Sequence, residues 1–494
     1  MRAIWKGARK RPLIRKLPTR RETTASHPSH TLFITWIFAI LLTSCANPAE
    51  TNTPPTPTFE LTAAATTQPA WTPTPVETLL PPKVTTAKSC LRNDVQAALT
   101  NAPDNSIVVI PEGVCDWSNE PAVTRQAGVW LKGTGKDKTV IKRSAPVTPL
   151  PYEGVACAAE LYYDDSGNAQ LTPCYGNPPP EQYLIEFDCS NDRPVEVSDL
   201  TLEGNDDYQT ELERLIDNDN GLALHNGCMD FKVHDAAFNK FSHAGLTVRD
   251  GGRGVIYNNE FFSNFKCQDE DTVIPRGDGT NWTIQEPLAC LGYGVAVYGD
   301  SSYPETIELG TQNAVFIEDN IFSDNRHAIA SNLGSNYVVR YNSIKHTERA
   351  RNFGIVDAHG RGEYGPGSRS WEVYHNLLID DTETQWNTTG ILMRGGDGVV
   401  FDNIVPKGFA WGIGLTTEAD CDTAADYPLE DQIRWAYVWG NHAPNSDALE
   451  LPTIPYESYA PECLQEGRDF FMIEMPGYTP YLYPHPLRDK SLLQ

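Results

Sequence analysis

The feature that most constrains the fold is a short pattern that recurs along the middle of the chain. Each copy has apolar residues at alternate positions, then Asp or Asn, then a further apolar residue, as in Val373-Tyr374-His375-Asn376-Leu377. Such a copy fits a strand of about 4–6 residues that ends at a polar corner. The corner residues are Asp199, Asp235, Asn259, Asn320, Asn342, Asn376 and Asn403.

The spacing of these corners predicts a solenoid. Counted between the corner residues above, the successive intervals are 36, 24, 61, 22, 34 and 27 residues. A short base period that insertions lengthen is typical of a chain that coils repeatedly and has loops on its longer coils. Leucine-rich repeats have a similar period, but their Leu-x-x-Leu-x-Leu spacing is absent. We therefore expect an all-β solenoid whose corner asparagines form a structural ladder, with stacked amides that satisfy the turn backbone.

The first 44 residues have the organisation of an export signal. Nine basic residues and one acidic residue precede an apolar stretch, Leu32–Leu42, which is too short to span a bilayer. The stretch ends in Leu42-Thr43-Ser44-Cys45, which resembles the lipobox of bacterial lipoproteins. This resemblance implies that Cys45 bears the lipid and anchors the chain to the cell membrane or outer membrane. The alternative is an ordinary cleaved signal or a short anchor with an incidental cysteine.

The rest of the chain divides by composition. Residues 45–89 are rich in Thr, Pro and Ala, which cannot form an apolar core, so they are predicted to be a disordered tether. The solenoid is expected over residues 90–440. We expect residues 441–494 to form a closing tail that packs on the solenoid.

The net charge excludes some classes of partner. The full chain has 39 basic and 65 acidic residues, a formal charge of −26, and removing the nine basic residues and one acidic residue of the leader leaves about −34. A surface this acidic repels nucleic acid and anionic lipid headgroups. We predict no nucleic-acid partner and expect a monomer. An acidic polysaccharide would need local basic side chains or a bridging metal.

Cysteine usage is consistent with an oxidising compartment. Of eleven cysteines, ten remain without Cys45, and no Cys-x-x-Cys motif occurs, so a zinc or redox site is not predicted. Sequence spacing suggests four local bridges, although it does not determine connectivity. These pair Cys90 with Cys115, Cys157 with Cys174, Cys267 with Cys290, and Cys421 with Cys463. For Cys189 and Cys228, a disulfide and free buried thiols are both open.

The start of the solenoid has a family resemblance. A helix is predicted over Asn93–Asn101, with Asn93 or Asp94 as N-cap, where it would block edge pairing at the end of the solenoid. Its apolar face contains Val95, Ala98 and Leu99. With Gly128–Gly133 and Asp199–Gly204, this opening resembles right-handed parallel β-helix proteins of the pectate-lyase-like superfamily. The resemblance covers about residues 90–440 and implies that fold, whose members include lyases, hydrolases, esterases and non-catalytic proteins.

A narrower resemblance concerns residues 326–404 and the tail. The segments that show it are Arg326-His327, Gly334–Asn342, Asp357–Gly360, Trp371–Asn376, Arg394–Val399 and Pro476–Leu487. They resemble a group of secreted bacterial β-helix proteins without an assigned activity. The resemblance therefore implies architecture and leaves the chemistry open.

The candidate site is the polar region between Arg326 and Arg394. Asp357 and His359 are two residues apart in a strand-like segment, so their side chains share a face, which we expect to be the outward one. A carboxylate beside an imidazole can orient it for proton transfer. The alternative is a hydrogen-bonded structural pair. The predicted catalytic residues are Asp357, His359, Arg326 and Arg394, and the predicted substrate-binding residues are His327, Arg361, Glu363 and Arg369.

Two cleavage mechanisms and one non-catalytic function are open. In β-elimination, an arginine neutralises a sugar carboxylate and His359 removes the adjacent proton, whereas by resemblance pectate-lyase-like enzymes use Arg or Lys with bound calcium. A hydrolase needs two carboxylates, about 5–5.5 Å apart for retention or 6.5–9.5 Å for inversion, and Asp357 could pair with Glu363, Glu372 or Asp397. We predict lyase-type cleavage of an acidic polysaccharide ahead of hydrolysis. The alternative is a surface protein that binds glycan or acts as an adhesive or structural rod.

Calcium is the one candidate cofactor, and no metal ligands are assigned. The acidic run Asp269-Glu270-Asp271, with Asp278 nearby, offers hard oxygen ligands, although a solvated loop is the alternative. It lies in one of two long insertions, about residues 144–185 and 264–292, which are candidate walls of a polymer-binding groove or else plain surface loops. Several tryptophans could stack on sugar rings, namely Trp371, Trp386, Trp411, Trp435 and Trp439. We expect most of them to pack in the core or at corners.

Overall fold

The computed structural model of the chain describes the parts that contain the repeated pattern. These are residues 82–118, 120–144, 181–205, 219–265, 292–346, 354–362, 365–380, 389–406, 411–419, 423–443 and 463–489, residues 409 and 421, and four short strands in the insertions. The predicted signal, Cys45 and most of the tether lie outside the described residues. Within them, no helix is both long and apolar enough to cross a bilayer.

Three long sheets, here called A, B and C, form the body of the protein. Each coil of the chain contributes a strand to sheet A, then B, then C; one coil contains Arg253–Tyr257, Glu260–Phe262 and Tyr293–Tyr298. Strands of successive coils pair in parallel in every sheet. Parallel strands wound through three sheets form a parallel β-helix, and connections of this kind are right-handed in about 98% of cases. The predicted β-helix architecture is thereby confirmed.

The strands of the sheets in chain order are as follows. Sheet A contains Val84–Thr86, Ser106–Val109, Val129–Lys132, Glu196–Ser198, Met229–His234, Arg253–Tyr257, Val315–Glu318, Asn336–Arg340, Ser370–Tyr374, Asp397–Phe401, Ala436–Trp439 and Phe470–Phe471. Sheet B contains Gly113–Asp116, Thr139–Lys142, Thr201–Glu203, Ala237–Asn239, Glu260–Phe262, Ile321–Ser323, Ser343–His346 and Leu377–Asp380. Sheet C contains Val123–Gln126, Gln182–Asp188, Asp219–His225, Ala244–Val248, Tyr293–Tyr298, His327–Asn332, Gly354–Ala358, Thr389–Met393 and Trp411–Leu415.

The insertions share one location in this topology. The two long ones lie between strands of sheets B and C, and each contains an antiparallel hairpin, Leu161–Tyr163 with Ala169–Leu171 and Val273–Pro275 with Asn281–Thr283. Most of their other residues, including Asp269, Asp271 and Asp278, lie outside the described residues. The calcium hypothesis and the predicted groove walls therefore stay predictions.

The corner between sheets A and B is built by an asparagine ladder. Asn342 donates its side-chain amide to Asn376 Oδ1 at 3.0 Å and to the backbone oxygen of Ile317 at 2.8 Å, and its own Oδ1 accepts from Asn320 N at 2.9 Å. The same pattern runs without a break through Asn259, Asn320, Asn342, Asn376, Asn403 and Asn441. The predicted structural ladder is confirmed, and Asn441 extends it by one coil.

The residue before each ladder asparagine has a left-handed backbone. The φ angles are 55° at Asn258, 57° at Asp319, 54° at His375 and 62° at Gly440. Asn, Asp and Gly tolerate this conformation better than other residues. The recurring Asp or Asn near the end of each strand therefore has a local conformational reason as well as a hydrogen-bonding one.

The core lies between the three sheets. Phe238, Phe261 and Phe322, from successive strands of sheet B, stack inside it with ring centroids 5.0 and 4.8 Å apart. In sheet C the inward positions alternate with outward ones, so Val356 and Ala358 are core residues and Asp357 is not. This alternation determines which side chains of sheet C can form a site.

A single α-helix, Arg92–Asn101, is present in the described residues. Its predicted apolar residues Val95, Ala98 and Leu99 are buried. The N-cap prediction is wrong, because the helix begins earlier and Leu91 occupies that position. Asp94 instead accepts a hydrogen bond from the Ser89 hydroxyl at 2.5 Å. Short 3-10 helices cover Ala424–Asp426 and Pro486–Arg488.

Three disulfides are present in the described residues. They join Cys90 with Cys115, Cys189 with Cys228, and Cys421 with Cys463. Two of the bridges suggested by spacing are confirmed, and Cys189 and Cys228 are bonded to each other rather than free. Cys157, Cys174, Cys267 and Cys290 lie outside the described residues.

The tail crosses the outer face of sheet A. Arg340, which is fully buried, donates to the backbone oxygens of Tyr481 and Leu482 at 2.7 Å each, and Arg488 forms an ion pair with Glu318 at 3.0 Å. Leu487 joins an apolar cluster on this face. Sheet A is therefore covered on both faces along this part of the solenoid, which leaves sheet C as the sheet whose outward face has the polar residues singled out above.

Candidate functional site on the outer face of sheet C

One column of outward side chains follows the ends of the sheet C strands. Because neighbouring strands pair in register, one residue from each of seven successive coils falls in this column. The members are Asp188, His225, Arg249, Tyr298, Asn332, His359 and Arg394. All seven are polar or have a polar tip, and all are partly exposed. We call this column the polar row.

The polar row ends in a compact charge cluster around Asp357. Arg394 donates to both carboxylate oxygens of Asp357, at 3.1 Å from Nε and 2.6 Å from Nη2, and to Glu418 Oε1 at 2.8 Å from Nη1. The Nε2 atom of His359 lies 2.9 Å from Asp357 Oδ2 and 2.8 Å from Arg394 Nη2. A carboxylate, an imidazole, a guanidinium and a second carboxylate are thus in direct contact.

Burial differs sharply within the cluster. Asp357 is fully buried, whereas the side chains of His359, Arg394 and Glu418 are 27%, 19% and 26% exposed. Asp357 faces outward, as expected, but Arg394 and His359 cover it on that face. The groups that a ligand can reach are His359, Arg394 and Glu418.

The charges keep Asp357 ionised despite its burial. Burial alone would raise the pKa of Asp357, but the positive charge of Arg394, followed by the interactions with His359 and His327, holds this pKa well below its usual range. Burial would lower the pKa of Arg394, yet the carboxylates of Asp357 and Glu418 raise it. Asp357 and Arg394 therefore form a permanent ion pair that orients His359.

His327 forms the inner wall of the cluster. It is fully buried, stacks on Tyr293 with ring centroids 5.6 Å apart, and donates from Nδ1 to the backbone oxygen of Gly354. Its Nε2 atom lies 3.7 Å from Asp357 Oδ2 and has no hydrogen-bond partner among the described residues. Burial, and then the charge of Arg326, lower the pKa of His327 well below its ordinary value.

Close backbone packing brings Glu418 to the cluster. The backbone nitrogen of Gly360 donates to Glu418 Oε2 at 3.2 Å. A β-carbon on Gly360 would lie 2.6 Å from both the Arg394 backbone oxygen and the Glu418 β-carbon. Only glycine fits at this position without displacing one of them. Glu418 was absent from the sequence prediction, since it follows the last strand of sheet C and no repeated pattern marks it.

The donor set could hold a metal ion only if Arg394 moved. Donor atoms of His327, Asp357 and His359 lie within 4.8 Å of one another, and two imidazoles with one carboxylate suit a transition metal better than calcium. However, the Arg394 guanidinium contacts both Asp357 and His359 and places a positive charge where the ion would bind. In this arrangement the residues do not fit a metal ion.

Of the other predicted residues, Arg326 lies beside His327, whereas the ion pairs of Arg361 and Arg369 are formed with residues outside this cluster. Arg326 is 9% exposed and lies 6.0 Å from the Tyr293 ring centre, while Arg361 forms ion pairs with Glu430 at 3.0 Å and Asp431 at 3.2 Å. Arg369 is buried in an ion pair with Asp397 at 2.9 Å. Glu363 lies outside the described residues. The structure thus brings together Asp357, His359, Arg394 and His327, but not Arg361 or Arg369.

The polar row was missed by the sequence analysis, although a signal existed. Each member directly follows the last inward position of a sheet C strand, as in Leu246-Thr247-Val248-Arg249 and Ile391-Leu392-Met393-Arg394. This second pattern also recurs once per coil, but its intervals of 37, 24, 49, 34, 27 and 35 residues differ from those of the corners. It becomes visible once the strand register is known.

The comparisons with known proteins add a likeness of architecture. No protein-family model and no curated protein matches this chain. It is similar to the solved structure of an alginate lyase from Paenibacillus sp. at 12% identity, covering 73% of this chain and 99% of the other with a TM-score of 0.31. It is similar to a family 28 exopolygalacturonase from Yersinia enterocolitica at 11% identity, with 74% and 71% covered and a TM-score of 0.38.

A further similarity is to a pectin methylesterase from Erwinia chrysanthemi, at 8% identity, with 75% of this chain and 92% of the other covered and a TM-score of 0.32. These likenesses are low in identity and in TM-score. The assignment of the fold as a parallel β-helix therefore rests on the three parallel sheets and their register.

Proposed function

We propose that this protein binds a linear polysaccharide along the polar row and cleaves it at His359. The observation that supports this most directly is the row itself, which offers one partly exposed polar side chain per coil over seven coils. Neighbouring strands lie about 4.8 Å apart, so the row is about 29 Å long. A polymer of hydroxylated rings can contact such a row repeatedly, whereas a compact ligand would use only one part of it.

The proposed reaction is β-elimination with His359 as the base. Imidazole is a base near neutral pH, and the ion pair of Asp357 with Arg394 holds the ring of His359 in position. His359 takes the proton next to a sugar carboxylate, the electrons of that C–H bond form a C=C bond, and the C–O bond to the next sugar breaks. The departing oxygen takes up a proton from water.

Hydrolysis by two carboxylates is less well supported. Among the described residues, Asp357 is saturated by Arg394 and His359, while Glu372 is buried on sheet A beneath the tail, where Tyr478 donates to it at 2.5 Å. Asp397 is held by Arg369. Only Glu418 remains partly exposed next to His359, so the described residues offer no accessible carboxylate pair at this histidine.

A second candidate function is glycan binding without cleavage. It is favoured by the contacts of Arg394, whose three guanidinium nitrogens already donate to Asp357 and Glu418. With neutral imidazoles, Asp357, Glu418 and Arg394 have a summed charge of −1, which repels a sugar carboxylate. In this alternative the cluster positions the row and performs no chemistry.

The test is incubation of the purified full chain with acidic and neutral polysaccharides, following the ultraviolet absorbance of an unsaturated product and the release of reducing ends. Elimination raises both signals, and we expect His359→Gln to lower the rate by about 100-fold or more. The matched control is His442→Gln, an exposed histidine outside the row. Reducing ends without absorbance would indicate hydrolysis, and silence with binding retained would favour the second candidate. Silence without binding would refute both.

We also propose that the chain is exported, anchored by a lipid at Cys45 and held away from the membrane by the tether. We propose further that it is a monomer, and that the helix Arg92–Asn101 shields the end of the solenoid. The support is the sequence of the leader and the amphipathic helix face. The substitution Cys45→Ser should move the protein from the membrane fraction to the soluble fraction when cells are fractionated. A dimer mass in light scattering would contradict the monomer. A variant with Val95→Asp and Leu99→Asp should aggregate more than the wild type, and unchanged aggregation would contradict the shielding role of the helix.

A further inference from the structure

A polar pocket of about 470 Å³ lies at the corner where the chain passes from sheet C to sheet A. Its lining includes Tyr303, Glu305, Arg369, Asp397, Arg434 and Trp435. No member of the polar row lines it. Its size falls within the range of about 300–1,000 Å³ that small-molecule sites occupy.

The floor of this pocket is held in place by a closed hydrogen-bond network. Arg369 donates to the backbone oxygens of Pro304 at 2.6 Å and Glu305 at 2.9 Å, and to Asp397 Oδ2 at 2.9 Å. Asp397 Oδ1 accepts from the backbone nitrogens of Arg434 and Trp435 at 2.9 and 2.8 Å. Because the buried side chains of Arg369 and Asp397 satisfy each other and the surrounding backbone, the floor of the pocket is preorganised.

The rim, in contrast, has exposed side chains that a ligand can reach. Trp435 is 54% exposed, and its ring is fixed by stacking with Phe471 at 6.2 Å between centroids. Arg434 and Glu305 are exposed, and their charged ends form no hydrogen bond or ion pair with the described part of the chain. An exposed aromatic ring, a guanidinium and a carboxylate therefore line one pocket, with no hydrogen bond or ion pair from the two charged ends to the described part of the chain.

We propose that this pocket binds an acidic sugar residue. The pyranose ring stacks on Trp435, the sugar carboxylate accepts hydrogen bonds from the forked guanidinium of Arg434, and a hydroxyl donates to Glu305. Aromatic stacking with flanking planar polar groups suits a ring with one apolar face and a polar edge. This inference goes beyond the proposed function, since the pocket can hold a sugar whether or not His359 cleaves one.

The experiment measures binding of tetragalacturonate and of the neutral tetramer cellotetraose by calorimetry. It uses the full chain with His359→Gln, so that cleavage does not consume the probe, and melting curves confirm that each variant is folded. We expect Trp435→Ala and Arg434→Gln each to weaken tetragalacturonate binding about tenfold. Trp435→Phe, which keeps a ring, should restore most of the affinity, and cellotetraose should respond to Trp435→Ala only.

The matched control is Phe262→Ala, because Phe262 is 46% exposed but lies on sheet B, away from the pocket. It should bind tetragalacturonate as the parent does. Equal affinity of the Trp435→Ala, Arg434→Gln and Phe262→Ala variants would overturn the proposal, and so would failure of the parent to bind tetragalacturonate. The cleavage assay on the wild-type chain is separate, so a failure of the proposed function is distinguishable from a failure of the pocket.

Discussion

The buried imidazole of His327 links stability to pH. Its Nδ1 atom donates to Gly354 and its Nε2 atom faces Asp357 without a hydrogen bond, so the neutral form fits the site. Burial lowers its pKa well below the ordinary value. In the unfolded chain the same group titrates near 6.5. Below that pH the unfolded state binds a proton that the folded state does not. The free energy of unfolding therefore decreases as the pH is lowered.

We predict that His327→Gln reduces the loss of stability on acidification. A depressed folded pKa means that the contribution of His327 is present above about pH 6.5 and is lost as pH falls toward the folded pKa. The wild-type melting temperature should therefore decline more steeply than that of the variant between about pH 7.5 and 5. Calorimetric scans across this range give the measurement.

The control for this experiment is the exposed His442→Gln, which should follow the wild type. If the melting temperature of His327→Gln declines in parallel with that of the wild type, His327 is not the cause.

Asp357, whose folded pKa is also depressed, loses its contribution to stability only below about pH 3.9, the pKa of an unfolded aspartate. The two groups therefore act in separate pH windows.

For single residues, the sequence predicted which side chains belong to the site better than it predicted how exposed they are to solvent. The two-residue spacing of Asp357 and His359 placed both on one outward face, and the structure agrees. Their accessibility was beyond reach, because it depends on Arg394 from the next coil and Glu418 from the coil after it. Sequence separation between these residues varies with insertions, so contact between coils cannot be counted from a fixed repeat.

At the scale of single elements, the asparagine ladder determines how the coils stack. Each amide donates to a backbone oxygen of the preceding coil and accepts from the backbone nitrogen of the preceding asparagine, as Asn342 does with Ile317 and Asn320. Removing one amide leaves several buried groups on two coils without partners. An unsatisfied buried polar group costs about 1–3 kcal/mol.

Asn342→Ala is expected to lower the free energy of unfolding by about 2–4 kcal/mol, since the Asn320 nitrogen and the Ile317 oxygen both lose their partner. Urea denaturation followed by circular dichroism measures the change. Ser343→Ala, one residue along and partly exposed, serves as the control and should change stability little. A similar loss in both variants would contradict a specific role for the ladder.

The strands also show which element boundaries sequence can predict. Corners with Asn or Asp were visible because a left-handed backbone and a buried amide both select those residues. The ends of the sheet C strands require no particular residue, so Asp, His, Arg, Tyr and Asn all occur in the polar row. Their common position follows from strand pairing, which only the folded register reveals.

At the scale of the whole molecule, the tail is joined to sheet A through Glu372. This buried carboxylate accepts from Tyr478 at 2.5 Å and from the Gly310 nitrogen at 2.8 Å. Burial raises the pKa of Glu372, although these two hydrogen bonds oppose the shift. The protonated form is therefore favoured in the folded protein more than in the unfolded chain.

This raised pKa predicts a pH effect opposite to that of His327. The contribution of Glu372 is fully present below its unfolded pKa of about 4.3 and is lost as pH rises through the folded pKa. Relative to wild type, Glu372→Gln should therefore gain melting temperature as pH rises above about 4.3, because the amide does not ionise. The exposed Glu474→Gln in the same tail should show no such trend, and a constant difference between Glu372→Gln and wild type would refute the assignment.

The sequence by itself determined that this chain coils, where each coil turns between sheets A and B, and that its exterior is acidic. These properties arise from local chemistry, namely alternating apolar residues, left-handed corners and amides that need partners. Only the tertiary structure decided which polar side chains share the outer face of sheet C, that Asp357 is covered by Arg394, and that Trp435 borders a pocket. Those contacts join coils separated by insertions of unequal length, and their geometry is determined by strand register rather than by distance along the chain.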